Sequence, residues 1–364
     1  IRNWAIAGVQ FWAGIQHADG AFDECYPYER GWVGPTAFTT YTSAESLRIL
    51  CGEMRPEQIQ RVEKALRRAA NFIAHGEAEK DHLANHHAMA FLAVSTVADI
   101  LADENLRTAA TKLWNRFLAY QNSEGWCLEY DGADPGYLSA TVSFLAKVYQ
   151  VQPTPELRKV LADAVEFCSY FVYPDGSYAG VLGSRNTLHF YPHGFEILSA
   201  ELPMAASVAD RMARGLADGQ LVPPHSMSDR YVHYRVPEFL LAARDARPRP
   251  SPLPLLPYQR TDQRTYFPRA GIAVARHGTA YTVANLAKGG VLASFNTTTG
   301  TRLRTDTGWL GELANGQLVT SQWVSTENVQ RVEGTTWSVR GNLRAVPSTK
   351  LLTLEKNILF RLAL

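Results

Sequence analysis

The sequence predicts an incomplete (α/α) toroid of helical hairpins followed by an antiparallel β-sandwich. Three observations carry this expectation. Apolar residues recur at helical spacing through the first two thirds of the chain. A similar turn segment returns at about 50-residue intervals between those helices. Beyond residues 246–263 the apolar period changes to two. With 364 residues and a hydrophobic content of 46%, the chain can bury cores in two domains.

The helices come first. "RPEQIQRVEKALRRAANFIAHG" sets Ile59, Val62, Leu66, Ala69 and Ile73 on one stripe, with Pro56 suited to a first turn and Gly76 to an exit. "ENLRTAATKLWNRFLAYQ" repeats the stripe with Leu106, Leu113, Trp114, Phe117 and Leu118. "TPELRKVLADAVEFCSYF" does so with Leu157, Val160, Leu161, Ala164 and Val165 behind a Thr154 cap. Thr42 and Glu45 have the spacing of a capping box before "SLRIL". The turn segments are "HADGAFDE", "QNSEGWCLE" and "YPDGSYAG", each with an acid, a glycine and a following aromatic residue. A fourth copy belongs near 72–90, where "AHGEAEKDHLANHH" keeps only an echo. Hairpins repeated in this way must stack to bury both faces, and a ring or arc is the simplest result.

The domain boundaries follow from composition: 1–245 for the toroid, 246–263 as a linker, 264–364 for the sheet domain. "ARPRPSPLPLLPYQRTDQ" holds five prolines from Pro248 to Pro257 and excludes a helix or an interior strand, leaving a stiff linker or a strap. After it, "AGIAVARHG", "TAYTVANLA", "VLASFN", "QLVTSQWVS", "TWSVRGNLRAV" and "NILFRLAL" read as strands, with His277-Gly278 and Lys288-Gly289-Gly290 as turns. The set is short for a complete sandwich.

A formal net charge of +1 gives no general attraction to nucleic acid or to a membrane surface. No run of about 20 apolar residues is present, so membrane insertion is not expected. Cys25, Cys51, Cys127 and Cys168 show no C-x-x-C spacing; free buried thiols are the simple reading, and two disulfides of a secreted protein the other. Ile1 stands where an initiating methionine would, which suits a processed or partial chain.

Four stretches carry candidate chemistry. In "DHLANHHAMAFLAV", Asn85, His86 and His87 stand where a helix begins; an amide there can polarise a carboxylate, and a neutral imidazole can accept a proton. In "DPGY", Tyr137 stands at another helix mouth, as a stacking residue or as a phenol acting as acid or base, the latter needing nearby cations. "GSRNTLHFYPHGFE" supplies Arg185, His189, Tyr191, His193 and Glu196, the glutamate placed to orient a histidine. "DECYPYERGW" offers Tyr26, Tyr28, Arg30 and Trp32, suited to a sugar cleft or to a packed loop. No H-E-x-x-H, acid-dense calcium loop, P-loop or G-x-S-x-G element is present, so no metal or cofactor is expected.

At these residues the chain resembles the heparinase II/III-like polysaccharide lyases and their alginate-lyase relatives. The resemblance spans nearly the whole chain, more in arrangement than in motif. It implies a toroid followed by antiparallel sheets, and an anionic polysaccharide or oligosaccharide as partner. Asn85 and His86 match the family's Asn-His pair, Tyr137 its catalytic tyrosine, and Arg185 with His189 or His193 its arginine and histidine element. "YFPRAGIAVARHG" resembles the opening of its sheet domain. The implied reaction is β-elimination on a uronate: Asn85 with His193 or Arg185 neutralises the carboxylate, Tyr137 or His86 takes the C5 proton, and Tyr137 protonates the leaving oxygen. His87, His189, Tyr191, Glu196, Tyr26, Tyr28, Arg30 and Trp32 would contact the sugar chain. A periplasmic or secreted location is expected, with a cytoplasmic one left open. A glycoside hydrolase using two of Asp23, Glu24, Glu129 and Asp131, a uronate epimerase, and a polysaccharide-binding protein without turnover are the alternatives.

Overall fold

A computed structural model describes residues 1–23, 33–76, 83–227, 229–334, 336–347 and 353–363. Its helical region comprises α1 (Arg2–Ile15), α2 (Val33–Leu50), α3 (Pro56–His75), α4 (Ala84–Ile100), α5 (Glu104–Leu118), α6 (Pro135–Val151), α7 (Pro155–Ser169), α8 (His193–Leu198), α9 (Pro203–Ala217) and α10 (Asp229–Asp245). The helices alternate in character. α3, α5, α7 and α9 each bury one stripe, such as Val62, Leu66, Ala69 and Ile73 on α3. α4 and α6 are buried along almost every residue. A helix apolar all round belongs inside, and a one-striped helix belongs outside. Accordingly α2, α4, α6, α8 and α10 touch in succession as an inner ring. Outside it, α1 packs on α3, α3 on α5, and α7 on α9.

The repeated turns set the joints. Gly20, Gly125 and Gly176 have φ of 96°, 92° and 89°, a region that side chains avoid. A β-carbon on any of them would run into the backbone of a neighbouring outer helix, at Arg68, Asp163 or Gly215. The residue pattern around each is shared: Asp19, Asn122 and Asp175 accept a hydrogen bond from the amide two residues on. Of the stretch 72–90, where the fourth copy is expected, residues 77–82 lie outside the described residues.

Sheets follow. A short hairpin of β1 (Leu128–Glu129) and β2 (Gly132–Ala133) sits within the helical region. Beyond α10, β3 (Arg264–Phe267), β4 (Ile272–His277), β5 (Ala280–Asn285), β6 (Val291–Asn296) and β7 (Arg302–Asp306) form one antiparallel sheet in sequence order. β8 (Leu310–Glu312), β9 (Leu318–Thr320) and β12 (Arg344–Ala345) form a second, and β10 (Val329–Glu333) with β11 (Thr336–Arg340) a third. One face of the five-stranded sheet buries Ile272, Val274, Tyr281, Val283 and Phe295 in the same core as the helices. Its other face carries Ala273, Ala284 and Leu286 against Val332, Trp337 and Val339 of β10 and β11, which makes the sandwich. The sheet is seated on the repeated turns: Glu124 accepts from the amides of Arg269 and Ala270, and Tyr173 stacks on Phe295 at 4.6 Å.

The proline-rich stretch runs extended over the helices. Arg249 reaches Glu196, the Pro254 carbonyl accepts from Ser207, and Leu256 and Tyr258 are buried.

Two local expectations are corrected. Thr42 and Glu45 do not cap a helix, because α2 starts nine residues before Thr42; the Thr42 hydroxyl instead donates to the Phe38 carbonyl within the helix. The segment read as a strand at "NILFRLAL" is α11 (Leu354–Ala363). Leu354, Ile358 and Leu362 recur at i, i+4 and i+8, a period of helix rather than strand. The cysteines Cys127 and Cys168 are free and buried, and Cys51 is free and exposed; Cys25 lies outside the described residues. Among the described residues no helix is long and apolar enough to cross a membrane.

Candidate active site

The first turns of α4 and α6 meet two loops, the β1–β2 hairpin and the loop that carries Arg185. α4 begins at Ala84 behind an isolated bridge between Leu83 and Glu129. Asn85 is 3% exposed, and Glu129 is sealed at 0%. Both carboxylate oxygens of Glu129 accept from Asn85, one from its amide nitrogen at 2.7 Å and one from Nδ2 at 2.8 Å. The Asn85 side chain is thereby fixed in one rotamer and one amide orientation.

α6 starts at the same level because Asp134-Pro135 is a helix-start dipeptide, with the aspartate as cap and the proline in the first turn. Asp134 is 1% exposed; one oxygen accepts from the Tyr137 amide at 3.1 Å, the other from the Arg185 amide at 2.8 Å. Burial pushes the Asp134 carboxyl upward against the hydrogen bonds it receives. One side chain thus positions both Tyr137 and the Arg185 loop. Gly183 is required here, since a β-carbon would press on the Asp134 carboxylate at 2.5 Å. Ser184 adds a second tie, donating to the Glu129 carbonyl at 2.7 Å.

Tyr130 completes the cluster. It sits in the β1–β2 turn with φ of 59°, a left-handed conformation that costs a non-glycine residue about 1–2 kcal/mol. The Arg185 guanidinium lies over its ring at 4.1 Å, and its ring stands 6.2 Å from that of Tyr137. Arg185 is exposed and Tyr137 half-buried, so both reach solvent beside the buried Asn85–Glu129 pair. The Tyr137 phenol is pushed well above its ordinary value, first by burial and then by Tyr130, Tyr191, Glu129 and Asp134 around it. It is held protonated at neutral pH.

From this mouth an aromatic run crosses the inner ring. His86, half-buried, stands edge-on to Phe38 at 6.0 Å; Phe38 meets Phe144 at 5.7 Å, and Phe144 meets Tyr191 at 6.2 Å. Tyr191 in turn carries the guanidinium of Arg235 at 4.0 Å. His189 stands beside Tyr231, with its imidazole lowered to about 4 by burial and by Arg235.

The remaining sequence-derived residues go elsewhere. His87 is turned to the outer layer, 5% exposed and stacked on Tyr120 at 4.4 Å. His193 and Glu196 leave the Arg185 loop because α8 begins at His193 and carries them into the ring wall. Glu196 orients no histidine: both its oxygens accept from Arg249 at 2.7 Å. His193 is held by Asp245 at 2.7 Å and lines a cavity of about 730 Å³ with Lys147, Pro237 and Arg244. That cavity opens around the C-terminal halves of α2, α4 and α6, and none of Asn85, Tyr137 and Arg185 lines it. Lys147 is ten residues beyond Tyr137 on α6, about 15 Å along the axis. Tyr26, Tyr28, Arg30 and Trp32 lie outside the described residues. Among the described residues, no group of three or more His, Cys, Asp or Glu is placed to hold a metal ion.

Sequence reasoning weighed Glu129 only as a hydrolase acid and passed over Tyr130 and Asp134. The D-P pair at 134–135 signals a capped helix start, and "EYDG" at 129–132 signals a tight hairpin. Together those signals would have placed all three at one mouth.

No curated protein matches the sequence. Among solved structures, the chain is similar to Streptomyces coelicolor chondroitin AC lyase in complex with chondroitin sulphate, at 12% identity and a TM-score of 0.52. The match covers 82% of this chain and 45% of that one, so the chain spans less than half of its structural relative. At that identity the likeness speaks for fold. Residues 2–192 match the ulvan lyase N-terminal domain family, a segment that contains Asn85, Glu129, Tyr137 and Arg185 and stops just before α8. The resemblance holds at the level of the broader polysaccharide-lyase superfamily and not specifically for the heparinase II/III-like lyases; the chain belongs to the ulvan lyase N-terminal domain family.

Proposed function

We propose that the protein cleaves a uronic-acid-containing polysaccharide by β-elimination at the mouth built by α4, α6 and the Arg185 loop. What supports this reading is an Asn85 amide oriented by Glu129, and a protonated Tyr137 phenol whose helix start shares the Asp134 carboxylate with the loop of the exposed Arg185. The C5 proton of a uronate is weakly acidic while the adjacent carboxylate keeps its charge. Arg185 neutralises that carboxylate from the solvent side. The second Nδ2 hydrogen of Asn85, whose first is committed to Glu129, supports the charge that develops on it. Helix N-termini at α4 and α6 add partial positive charge to the same opening. Tyr137, held protonated, donates to the departing O4 oxygen. His86, one residue from Asn85 and half-exposed, accepts the C5 proton, which assigns the two proton transfers to two residues rather than to Tyr137 alone. Of the aromatic run only His86 and Phe38 are part-exposed and within a sugar's reach; Phe144 and Tyr191 are buried behind them.

A hydrolase needs two carboxyl groups free to face the sugar. Of the acids considered, Glu129 is buried against Asn85, Asp23 is engaged by His17 at 2.8 Å, Glu24 lies outside the described residues, and Asp131 alone of the described three is exposed. The mouth therefore favours elimination.

The test is a panel of uronate polymers read by ultraviolet absorbance of the unsaturated product and by new reducing ends. Ulvan, after which the family is named, and chondroitin sulphate, the ligand in the similar structure, come first. Tyr137→Phe lowers turnover by about 10³-fold while oligosaccharide binding persists, and His86→Ala lowers it by about 10²-fold. Reducing ends without absorbance would assign a hydrolase. Binding without turnover in wild type and variant alike would assign a carbohydrate-binding protein.

A further inference from the structure

Lys288 belongs to the turn between β5 and β6, yet its side chain is inserted beneath the Arg185 loop and is 2% exposed. Its Nζ donates to the Val181 carbonyl at 3.0 Å, the Gly183 carbonyl at 2.6 Å and Asn186 Oδ1 at 2.6 Å. Asn285, the last residue of β5, donates to the Leu182 carbonyl at 2.7 Å and accepts from the Lys288 amide at 2.9 Å. The sheet domain thus grips residues 181–186 from below, while Asp134 and Glu129 hold Gly183, Ser184 and Arg185 from the side of α6 and β1.

An ammonium has three donors and here meets three oxygens. A neutral amine has two donors and a lone pair, so one of the oxygens would face a lone pair instead of a hydrogen. We propose that Lys288 is a positioning residue whose protonated form sets the Arg185 loop for an anionic sugar, coupling the sheet domain and the pH to the affinity of the mouth. The proposal rests on the elimination site described above.

The charged groups around it act in known directions. Burial lowers the Lys288 ammonium to about 8, and Asp134 at the mouth of α6 opposes that loss. Glu129 and Arg185, on the adjoining hairpin and loop, are tied to the same segment through Ser184 and Asp134. For global stability the sign is opposite to that for the loop. Between about 8 and the ordinary lysine value of 10.5 the unfolded chain binds more protons than the folded one. Lys288 therefore makes the fold more stable, not less, as pH rises through that window. An alkaline loss of affinity cannot come from this residue by unfolding.

The experiment compares wild type, Lys288→Met and Asn186→Gly, the last keeping a left-handed position at φ of 59° while removing one acceptor. Two readouts are taken across pH 7 to 10: KM and kcat on a cleaved uronate polymer, and hydrogen-exchange protection of the Arg185 amide without substrate. In wild type KM should rise and protection should fall above about pH 8. Lys288→Met should raise KM by about tenfold with a smaller change in kcat, lower protection at neutral pH, and remove the alkaline rise. Asn186→Gly should move the alkaline rise to lower pH. Should Lys288→Met fail to fold, Asn186→Gly alone decides. Unchanged KM, protection and pH profile in the folded variants would overturn the proposal. Altered protection with no turnover on any polymer would overturn the lyase reading and leave the clamp standing.

Discussion

The ring of inner helices contains two polar clusters that share helices and differ in almost everything else. At the mouth, Tyr137 and Arg185 reach solvent beside a buried Asn85–Glu129 pair, and the phenol is kept neutral by its surroundings. Further along the helices, Lys147, Ser143 and Glu238 form a buried network, and His193, Asp245 and the exposed Arg244 form another beside it. There each charge meets an opposite charge, and Asp245 is lowered to about 2 by Arg244 first and His193 after. Groups that satisfy one another inside a wall hold helices together; groups oriented by a buried partner but open on one side can act on a visitor. The second cluster ties α6, α8 and α10 into the ring, and the mouth depends on that tie for its shape.

Substitutions separate the two. The largest effect is expected from Lys147→Met, which leaves Glu238 charged and buried. Loss of one partner of a buried pair costs about 3–5 kcal/mol, so the melting temperature should fall sharply while KM for the proposed cleavage stays near wild type in the surviving folded protein. A large rise in KM without loss of stability would erase the distinction between wall and mouth. Glu129→Gln should give the reverse. The glutamine keeps one acceptor and turns a donor towards Asn85, a mismatch of about 1–3 kcal/mol. Turnover should drop about tenfold to a hundredfold with the Asn85 amide misdirected, measured at saturating polymer. Equal turnover in wild type and variant would remove Asn85 from the chemistry.

The smallest effect concerns acid. His189 is lowered to about 4 from 6.5, and burial lowers His193 as well. Both are therefore bound neutral by the fold. The unfolded chain takes up protons first, so the stability they contribute is present above about 6.5 and is lost as pH falls towards 4. Thermal melts at stepped pH should show that decline, and His189→Gln should make it shallower. An identical slope in the variant would mean that the decline arises at His193 or among the carboxylates.

Much of this was legible in the sequence. The helical stripes, the glycine turns and the shift to period two follow from local spacing, and local spacing survives into the structure as α3, α5, α7 and the five-stranded sheet. "NHH" and "DPGY" were legible as helix starts for the same reason. The division of "GSRNTLHFYPHGFE" was not. Arg185 stays in the loop while His193 and Glu196 enter a six-residue helix, and what claims them is Asp245 and Arg249, both more than 50 residues away in sequence. Lys288 was read as part of a hairpin turn because only the packed sheet brings its ammonium under residues 181–186. Partners far apart in sequence leave no periodic trace.

The glycine joints have a consequence of their own. Because Gly20, Gly125 and Gly176 each lock against the backbone of an adjacent outer helix, the bend between successive hairpins is decided locally at each seam. Curvature is then a property of the unit, and the diameter of the opening a property of how many units are strung together. Adding or deleting one whole hairpin would widen or tighten the aperture without redesigning any seam, which makes the ring a scaffold whose bore can be adjusted in discrete steps.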